Sequence, residues 1–273
     1  MESSGKTYAL ITGAANGIGF EFARLLSMDG YNLVLIDIDN EKLFEMKNQL
    51  KNNYKNEIII LSIDLSKREA GSLIFNKMLE LNIEIDVLIN NAGFGMFGFF
   101  ANTSWDREQN MIQLHVVTPT QLIKLFLPGM LKRNHGKILN VASLAAFQPG
   151  PLMSIYYSTK AYLLSFSLSV ANELKGTGVC LTVLCPGPTK TGFQVTAGNE
   201  NPKIKWNMAC SEEVASYGYR AMQSGKIIAI PGIINKSIVI IQHFLSRKFV
   251  CQMVRLLQER NRRKIRLQID YQN

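Results

Sequence analysis

The segment SIYYSTKAYLL, residues 154–164, places three tyrosines around one lysine, Lys160. A free phenol, with a pKa near ~10, is a poor base at neutral pH, but a nearby ammonium group favours its phenolate form. A Tyr–Lys pair on one helix face could therefore transfer protons. Because helix residues three and four apart share a face, both Tyr156 and Tyr157 qualify, whereas Tyr162 points elsewhere. The spacing alone does not choose between the two.

A glycine-rich segment near the start, TGAANGIG at residues 12–19, is typical of a phosphate-binding loop. It lies between an apolar run that predicts a strand and an amphipathic run that predicts a helix. Glycine at such a turn lets the backbone approach a pyrophosphate, and the following helix N-terminus attracts negative charge. The segment predicts a dinucleotide site with the candidate residues Gly13, Asn16, Gly17, Ile18 and Gly19.

Asp37 ends the second predicted strand, eighteen residues after Gly19. A carboxylate there can accept hydrogen bonds from the ribose hydroxyls of NAD and would repel the 2′-phosphate of NADP. The next residue, Ile38, offers no cation for that phosphate, so NAD is the expected cofactor and NADP the less favoured one. Two alternatives stay open on these residues: a solvated strand-end Asp, and an adenosylmethionine-dependent methyltransferase.

The elements that position these residues alternate along the chain. TYALITG, YNLVLID, EIIILSID, IDVLINNAG, GKILNVAS and GVCLTVLCPG are nearly continuous apolar runs, and helical stretches separate them. Such runs are expected for parallel strands that helices cover on both faces. The sequence therefore predicts an α/β fold with a doubly wound parallel sheet, a Rossmann fold, in a single domain.

Length and composition agree with one large domain. The chain has 273 residues, of which 47% are hydrophobic, and no Pro/Gly/Ser-rich tract divides it. The start lacks an apolar run after a basic region, so no secretory signal is expected and a cytoplasmic location is predicted. The four cysteines have no spacing typical of metal ligands, so no metal site is expected.

Most of the positive charge lies at the C-terminal end. Lys and Arg exceed Asp and Glu by nine overall, and residues 247–273 hold eight basic and two acidic side chains. Val250, Met253, Val254 and Leu257 have helical spacing, which predicts a basic amphipathic helix. Packing on the domain with a solvated basic face is one interpretation, and peripheral contact of this tail with an anionic membrane is the other. No nucleic-acid partner is expected, because the patch lacks a base-reading motif.

Four further motifs occur in a fixed order: NNAG at 90–93, Ser143, Tyr156-x-x-x-Lys160, and PGPTKT at 186–191. Together with TGAANGIG they resemble the short-chain dehydrogenase/reductase family. The residues around these motifs are similar to those of a bacterial-type subgroup of the family. The resemblance runs from about residue 6 to 235. It implies a Rossmann-type domain over 1–235 that includes a substrate loop at about 192–213, followed by a basic amphipathic extension over 236–273.

The resemblance implies an NAD(P)-dependent oxidoreductase that acts on CH–OH groups, and it excludes the methyltransferase. It assigns Tyr156, rather than Tyr157, as the general acid–base. Lys160 would lower the pKa of Tyr156 together with oxidised nicotinamide and would hold the nicotinamide ribose, and Ser143 would bind the substrate oxygen. The cofactor residues implied beyond the glycine loop and Asp37 are Tyr156, Lys160, Asp64, Leu65, Asn91, Ala92, Gly93, Pro186, Gly187 and Thr189.

One position departs from the family pattern. His115, in NMIQLHVVTPTQL, stands where members carry a catalytic asparagine that helps to hold a water next to the active lysine. Imidazole can bind water and carry protons near neutral pH, so His115 is a candidate catalytic residue. The alternative is a tolerated, partly buried substitution that slows proton transfer. The first interpretation predicts an extra ionisation between pH ~6 and ~7.

The predicted substrate region, residues 193–213, and the segment after NNAG are rich in apolar side chains. They suggest an apolar alcohol or ketone, lipid- or steroid-like, as the small-molecule partner; the residues are Phe193, Trp206, Met208, Phe94, Met96, Phe97, Phe147 and Met153. A dinucleotide-binding sensor or scaffold with little turnover is the alternative function. By resemblance the protein is expected to be a homodimer or homotetramer that associates through helices near 105–130 and 155–175.

Overall fold

The central element is a parallel sheet of seven strands. The computed structural model describes residues 6–192 and 208–261. The strands are β1 Tyr8–Thr12, β2 Asn32–Asp37, β3 Ile58–Ser62, β4 Ile85–Asn90, β5 Gly136–Val141, β6 Val179–Leu184 and β9 Ile228–Ala229. Within the sheet they lie in the order β3-β2-β1-β4-β5-β6-β9. The apolar runs predicted as strands all form strands, because both faces of this sheet are covered. The predicted doubly wound α/β fold is confirmed.

Helices cover the two faces of the sheet. Their bounds are α1 Gly17–Met28, α2 Asn40–Asn53, α3 Ala70–Glu80, α4 Trp105–Ile112, α5 Thr118–Arg133, α6 Ser154–Glu173, α7 Ser211–Gln223, α8 Ile233–Gln242 and α9 Arg247–Asn261. Successive β2 residues point to opposite faces, so Leu35 packs with α1, α2 and α7 and Ile36 packs with α3 and α5.

The strand order reverses between β1 and β4, which pair in parallel at the centre of the sheet. In open α/β sheets ligands bind outside the carboxyl ends of the strands at such a switch point. The glycine loop follows β1 and NNAG ends β4, so both predicted cofactor segments lie at this crevice.

Four features were not predicted. A π-helical turn, Gln113–Val117, joins α4 to α5. Two-residue strands β7 Thr189–Lys190 and β8 Ala209–Cys210 form a second small sheet. The strand β9 is too short to be recognised from periodicity. Helix α8 spans the expected domain boundary at residue 235, so the C-terminal extension begins within a helix.

The predicted tail helix forms as α9, and residues 262–273 lie outside the described part. Across the residues that the structure describes, no helix has the length and apolar character needed to cross a membrane.

Candidate active site

At the three glycines of the glycine loop, a larger side chain would be strained or would collide with neighbouring atoms. Gly13 and Gly17 have φ angles of +63° and +55°, a region that favours glycine. A Cβ on Gly13 would lie 2.7 Å from the Cα of Ala92, and one on Gly19 would lie 2.1 Å from the carbonyl oxygen of Gly13. Asn16 precedes the first turn of α1 with extended backbone. The glycines allow close packing of the loop at the N-terminus of α1, and a helix N-terminus is a place where a pyrophosphate could bind.

Asn91 ties this loop to the NNAG segment. Its side-chain amide donates to the carbonyl oxygens of Thr12 (3.0 Å) and Gly13 (2.9 Å). The Thr12 hydroxyl oxygen in turn accepts from the backbone N–H groups of Asn91 and Ala92, at 3.0 and 3.2 Å. Asn91, Ala92 and Gly13 are therefore held together at the switch point. Thr12 was missed, although it is the first letter of the TGAANGIG motif.

Asp37 lies at the end of β2, half-buried beside the glycine loop. Its carboxylate accepts backbone hydrogen bonds from Ala15 (3.0 Å), Ile38 (2.8 Å) and Asp39 (3.2 Å). Lys42 nearby is paired with Asp39 at 2.7 Å. The Asp37 carboxylate is therefore fixed at the edge of the crevice, where the ribose end of a dinucleotide would lie.

The other predicted cofactor residues follow the strands β3 and β6, at the same edge of the sheet. The Asp64 carboxylate accepts from the Ser66 hydroxyl at 2.7 Å, and the Leu65 carbonyl accepts from Thr118 at 2.8 Å. On the opposite side, the loop after β6 holds Pro186, Gly187 and Thr189. The Thr189 hydroxyl donates to the Gly187 carbonyl at 3.0 Å, and a Cβ on Gly187 would lie 3.0 Å from the Nδ2 of Asn235 in α8.

Ser143, Tyr156 and Lys160 meet at the carboxyl end of β5. Ser143 begins a 3-10 turn, where its Oγ accepts from the Ala145 N–H at 3.1 Å and is hydrogen-bonded to the Tyr156 phenol. Lys160, one helical turn after Tyr156, is 5% exposed and donates to the Val141 carbonyl at 2.9 Å. Its Nζ lies 5.9 Å from the centre of the Tyr156 ring. The structure thus brings the predicted trio together.

Burial controls the acid–base properties of this pair. Burial raises the pKa of Tyr156 to about 12, against the opposing effect of the Ser143 hydrogen bond. Burial also lowers the pKa of Lys160 to about 8. In the protein by itself, desolvation of the phenolate is the largest cause of the shift. The lowering expected from Lys160 together with oxidised nicotinamide stays a prediction.

Tyr157 has different surroundings from its neighbour. Its ring lies against Gly150, where an added Cβ would come within 2.0 Å of a ring carbon. Its hydroxyl accepts from the side-chain amide of Gln258 in α9, at 3.1 Å. Tyr157 is therefore a packing residue that joins the catalytic helix to the C-terminal helix. Gln258 was missed, because sequence gives no signal for a contact across 101 residues.

His115 sits in the π-helical turn and bridges two segments of the site. Its Nε2 accepts from the Phe94 N–H at 3.1 Å, and its Nδ1 lies 3.0 Å from the Thr159 hydroxyl. Since Thr159 donates to the Tyr156 carbonyl at 2.8 Å, the Nδ1 must carry the proton and donate to Thr159. The ring is thus a neutral Nδ1–H tautomer with both nitrogens engaged by the protein.

Two expectations for His115 change with this geometry. The side chain is 1% exposed rather than partly buried. Burial, with the nearby Lys160 charge, lowers its pKa well below 6.5. The ionisation predicted between pH ~6 and ~7 therefore lies lower than this range.

Apolar side chains line the space next to Tyr156. A small cavity there is lined by the apolar Met96, Phe100, Met111, Leu152 and Met153 and by the polar Thr103, Glu108 and Ser154, among others. The centres of the Phe94 and His115 rings are 5.9 Å apart. Phe97, Phe147 and Met208 are half-buried. Phe193 and Trp206 lie outside the described residues, as does most of the predicted substrate loop.

A family model described as short chain dehydrogenase matches residues 7–202. The chain belongs to this family. Membership places it among the nicotinamide-dependent oxidoreductases of alcohols and ketones. Across the described residues, no group of three or more His, Cys, Asp or Glu could hold a metal ion.

Three proteins are similar to the chain in sequence. The ketoacyl reductase HetN of Nostoc sp. is 33% identical over 74% of this chain and 70% of its own length. The hydroxysteroid dehydrogenase-like protein 1 of Gallus gallus is 31% identical over 80% of this chain and 66% of its own. The very-long-chain 3-oxoacyl-CoA reductase-B of Danio rerio is 36% identical over 66% of this chain and 58% of its own.

Solved structures share the fold at lower identity. A 7beta-hydroxysteroid dehydrogenase superposes with a TM-score of 0.84 at 22% identity, covering 91% of this chain and 96% of that one. A short-chain dehydrogenase from Sphingobium yanoikuyae in complex with NADPH has a TM-score of 0.78 at 24% identity, covering 88% and 97%. One from Burkholderia phymatum in complex with NAD also has a TM-score of 0.78 at 24% identity, covering 89% and 95%. Neighbours of this fold thus bind either cofactor.

Proposed function

We propose that this short-chain dehydrogenase transfers hydride between NAD and an apolar alcohol or ketone, with Tyr156 as the general acid–base. The observation that carries the proposal is the meeting of three side chains at the carboxyl end of β5. Lys160 donates to the Val141 carbonyl at 2.9 Å, two residues before Ser143, and its Nζ lies 5.9 Å from the centre of the Tyr156 ring. A nicotinamide dinucleotide, when bound, accepts or supplies the hydride. The residues of the chain handle the proton and the orientation.

Ser143, Tyr156 and Lys160 have different roles in the proposed reaction. With a pKa of about 12, Tyr156 is protonated at neutral pH and can give its proton to a ketone oxygen. The Ser143 hydroxyl is placed to hydrogen-bond the same oxygen and to stabilise its developing charge. Lys160 supplies positive charge and a ribose contact. In the oxidative direction the phenolate is the base, and positive charge beside it is needed to offset its burial.

His115 acts in this proposal as a positioning residue rather than as a proton carrier. Its hydrogen bonds join Phe94, next to NNAG, to Thr159 on the catalytic helix. A Cβ on Gly93 would lie 2.9 Å from the His115 Nε2 and 3.6 Å from the Lys160 Nζ, so the ring fills the space beside the lysine. These two hydrogen bonds of His115 hold the segment after NNAG at a fixed position relative to Tyr156.

NAD is favoured over NADP in this proposal because of Asp37. Its carboxylate has a fixed position through three backbone bonds, and its negative charge opposes a 2′-phosphate. Ile38, which follows, is exposed and uncharged.

The substrate class rests on two lines of support. Apolar side chains form most of the lining of the small cavity beside Tyr156. The similar proteins include a ketoacyl reductase, a very-long-chain 3-oxoacyl-CoA reductase and a hydroxysteroid dehydrogenase-like protein. We therefore favour a ketone carried on a long acyl chain or a steroid-like ring system.

The proposed assembly is a homodimer or homotetramer formed through α5 and α6. Val117, immediately before α5, and Tyr162 and Leu168 on α6 are partly exposed apolar side chains. They could pack against a second copy.

The test is a fluorescence titration of the purified protein with NADH and, separately, NADPH. We expect NADH to bind at least about tenfold more tightly, and Asp37→Asn to remove most of that preference. Asp39→Asn is the matched control, since its carboxylate faces Lys42 and caps α2. NADPH preference in the native protein would contradict the assignment of Asp37. If NADH bound tightly but no apolar ketone oxidised the bound NADH, the sensor function would be favoured instead.

A further inference from the structure

The helix α8, which precedes the C-terminal helix α9, has its apolar face directed away from the protein. Val239 is buried and Asn235 lies against Gly187, so these residues mark the inner face. The opposite face carries Ile233, Ile234, Ile240 and Ile241, which are 81%, 61%, 61% and 57% exposed. Their spacing of one and seven residues places them along one stripe. A helix on a water-facing surface normally has the reverse arrangement.

The apolar surface continues beyond α8. Phe244, in the short link to α9, is 84% exposed. In α9, Val250 and Val254 are buried, whereas Phe249, Met253 and Leu256 form a second stripe at a spacing of four and three residues, each 43–54% exposed. Nearly half of the large exposed apolar side chains in the described part of the chain lie within residues 233–257.

Basic side chains accompany this surface. Residues 233–261 contain five Lys or Arg and one acidic residue, Glu259, which pairs with Arg255 at 2.8 Å. By sequence, residues 262–273 add four basic residues and one acidic residue. An exposed apolar stripe flanked by Lys and Arg is the pattern of a helix that lies in a membrane interface.

We propose that α8, α9 and their link form a docking surface for an anionic lipid membrane, with the exposed isoleucines and Phe244 inserted below the headgroups. The surface lies on the membrane and does not span it, since α8 has only ten residues. A second copy of the chain fits less well, because it would bring the same excess of positive charge to the interface. Anionic lipid has the complementary charge.

The docking surface adjoins the active site. Asn235 of α8 lies against the loop after β6, and Gln258 of α9 donates to the Tyr157 hydroxyl. Gln258 also lies 3.7 Å from the sulfur of Met153. Docking would therefore bring the site close to the lipid, although membrane binding itself does not depend on the proposed reaction.

The test is co-sedimentation of the full-length protein with vesicles. We expect binding to phosphatidylcholine vesicles that contain about 30% phosphatidylserine, and at least about tenfold weaker binding to pure phosphatidylcholine. The double variant Ile233→Ser/Phe244→Ser should bind the anionic vesicles at least about tenfold more weakly. The matched control is Phe44→Ser/Leu79→Ser, which removes similarly exposed apolar side chains from α2 and α3 and should bind as the native protein does.

A second variant tests the charge without altering the apolar surface. Arg247→Gln/Lys248→Gln should reduce the preference for anionic vesicles, while circular dichroism stays native. Three outcomes would overturn the proposal: no binding of the native protein to anionic vesicles, undiminished binding of Ile233→Ser/Phe244→Ser, or a native dimer that this variant splits without any vesicle binding. The last outcome would identify the surface as a contact between copies.

Discussion

Tyr156 and Tyr157 are adjacent in sequence and differ in what their hydroxyl groups contact. The Tyr156 phenol is hydrogen-bonded to Ser143, and the Tyr157 phenol accepts from Gln258. We expect Tyr156→Phe to lower kcat by about 10²- to 10⁴-fold, because the proton donor is lost while the ring remains. Tyr157→Phe should change kcat by less than about threefold. Steady-state kinetics with an apolar ketone, alongside NADH titration, measure both.

The NADH titration separates chemistry from binding in this pair of variants. Both variants should bind NADH as the native protein does. If Tyr157→Phe abolished turnover and Tyr156→Phe did not, the assignment of the acid–base residue would be reversed.

His115 gives a prediction about stability rather than rate. Its folded-state pKa lies well below the value of 6.5 that the unfolded chain would show, so the unfolded state binds more protons as the pH falls. The stabilisation is complete above about pH 6.5 and is lost below it. We expect the free energy of unfolding to fall by about 1.4 kcal/mol between about pH 7.5 and about pH 5.5 from this group alone.

Denaturant unfolding at several pH values measures this loss. His115→Asn should remove most of the pH dependence, and His135→Asn, at an exposed position, should retain it. Equal slopes for His115→Asn and the native protein would mean that the ring is not held neutral in the folded state.

The elements differ in how far sequence could predict them. The six long strands were predicted because burial on both faces leaves a continuous apolar run, and Asp37 and NNAG mark where two of them end. The strand Ile228–Ala229 escaped prediction, since two residues carry no periodicity. The π-helical turn escaped it too, and with it the orientation of His115, which depends on backbone hydrogen bonds rather than on residue pattern.

The helix α1 provides a prediction at the scale of an element. Gly19 lies in its first turn, where a methyl group would collide with the carbonyl oxygen of Gly13 at 2.1 Å. Gly19→Ala should therefore displace the glycine loop and weaken NADH binding by at least about tenfold. Gly129→Ala in α5 is the matched control, because the nearest atom there is the flexible end of Arg133 at 3.4 Å.

Titration with NADH and thermal unfolding distinguish the two variants. Gly129→Ala should bind NADH normally and be as stable as the native protein or slightly more so, since alanine favours the helix. Native NADH affinity in Gly19→Ala would show that the loop can move without harm to the site.

Across the whole molecule, the cofactor crevice and the basic, apolar C-terminal surface are joined by α8 and α9. The basic tail was predicted from charge, and the amphipathic spacing of α9 from periodicity. The outward direction of the α8 isoleucines was not predicted, because a run of apolar residues does not reveal which face of the helix packs on the domain. The contacts of Val239 and Asn235 supply that information.

This arrangement predicts a dependence on how the substrate is presented. A long-chain ketone dissolved in anionic vesicles is concentrated at the surface where the protein docks, so docking should raise its turnover. We expect Ile233→Ser/Phe244→Ser to reduce that ketone at least about fivefold more slowly, with an unchanged rate for a water-soluble ketone. NADH oxidation assays with the two substrates measure the ratio, and Phe44→Ser/Leu79→Ser serves as the control. Equal losses with both ketones would mean that the C-terminal helices support the site itself, and no loss with either would mean that substrate arrives through water.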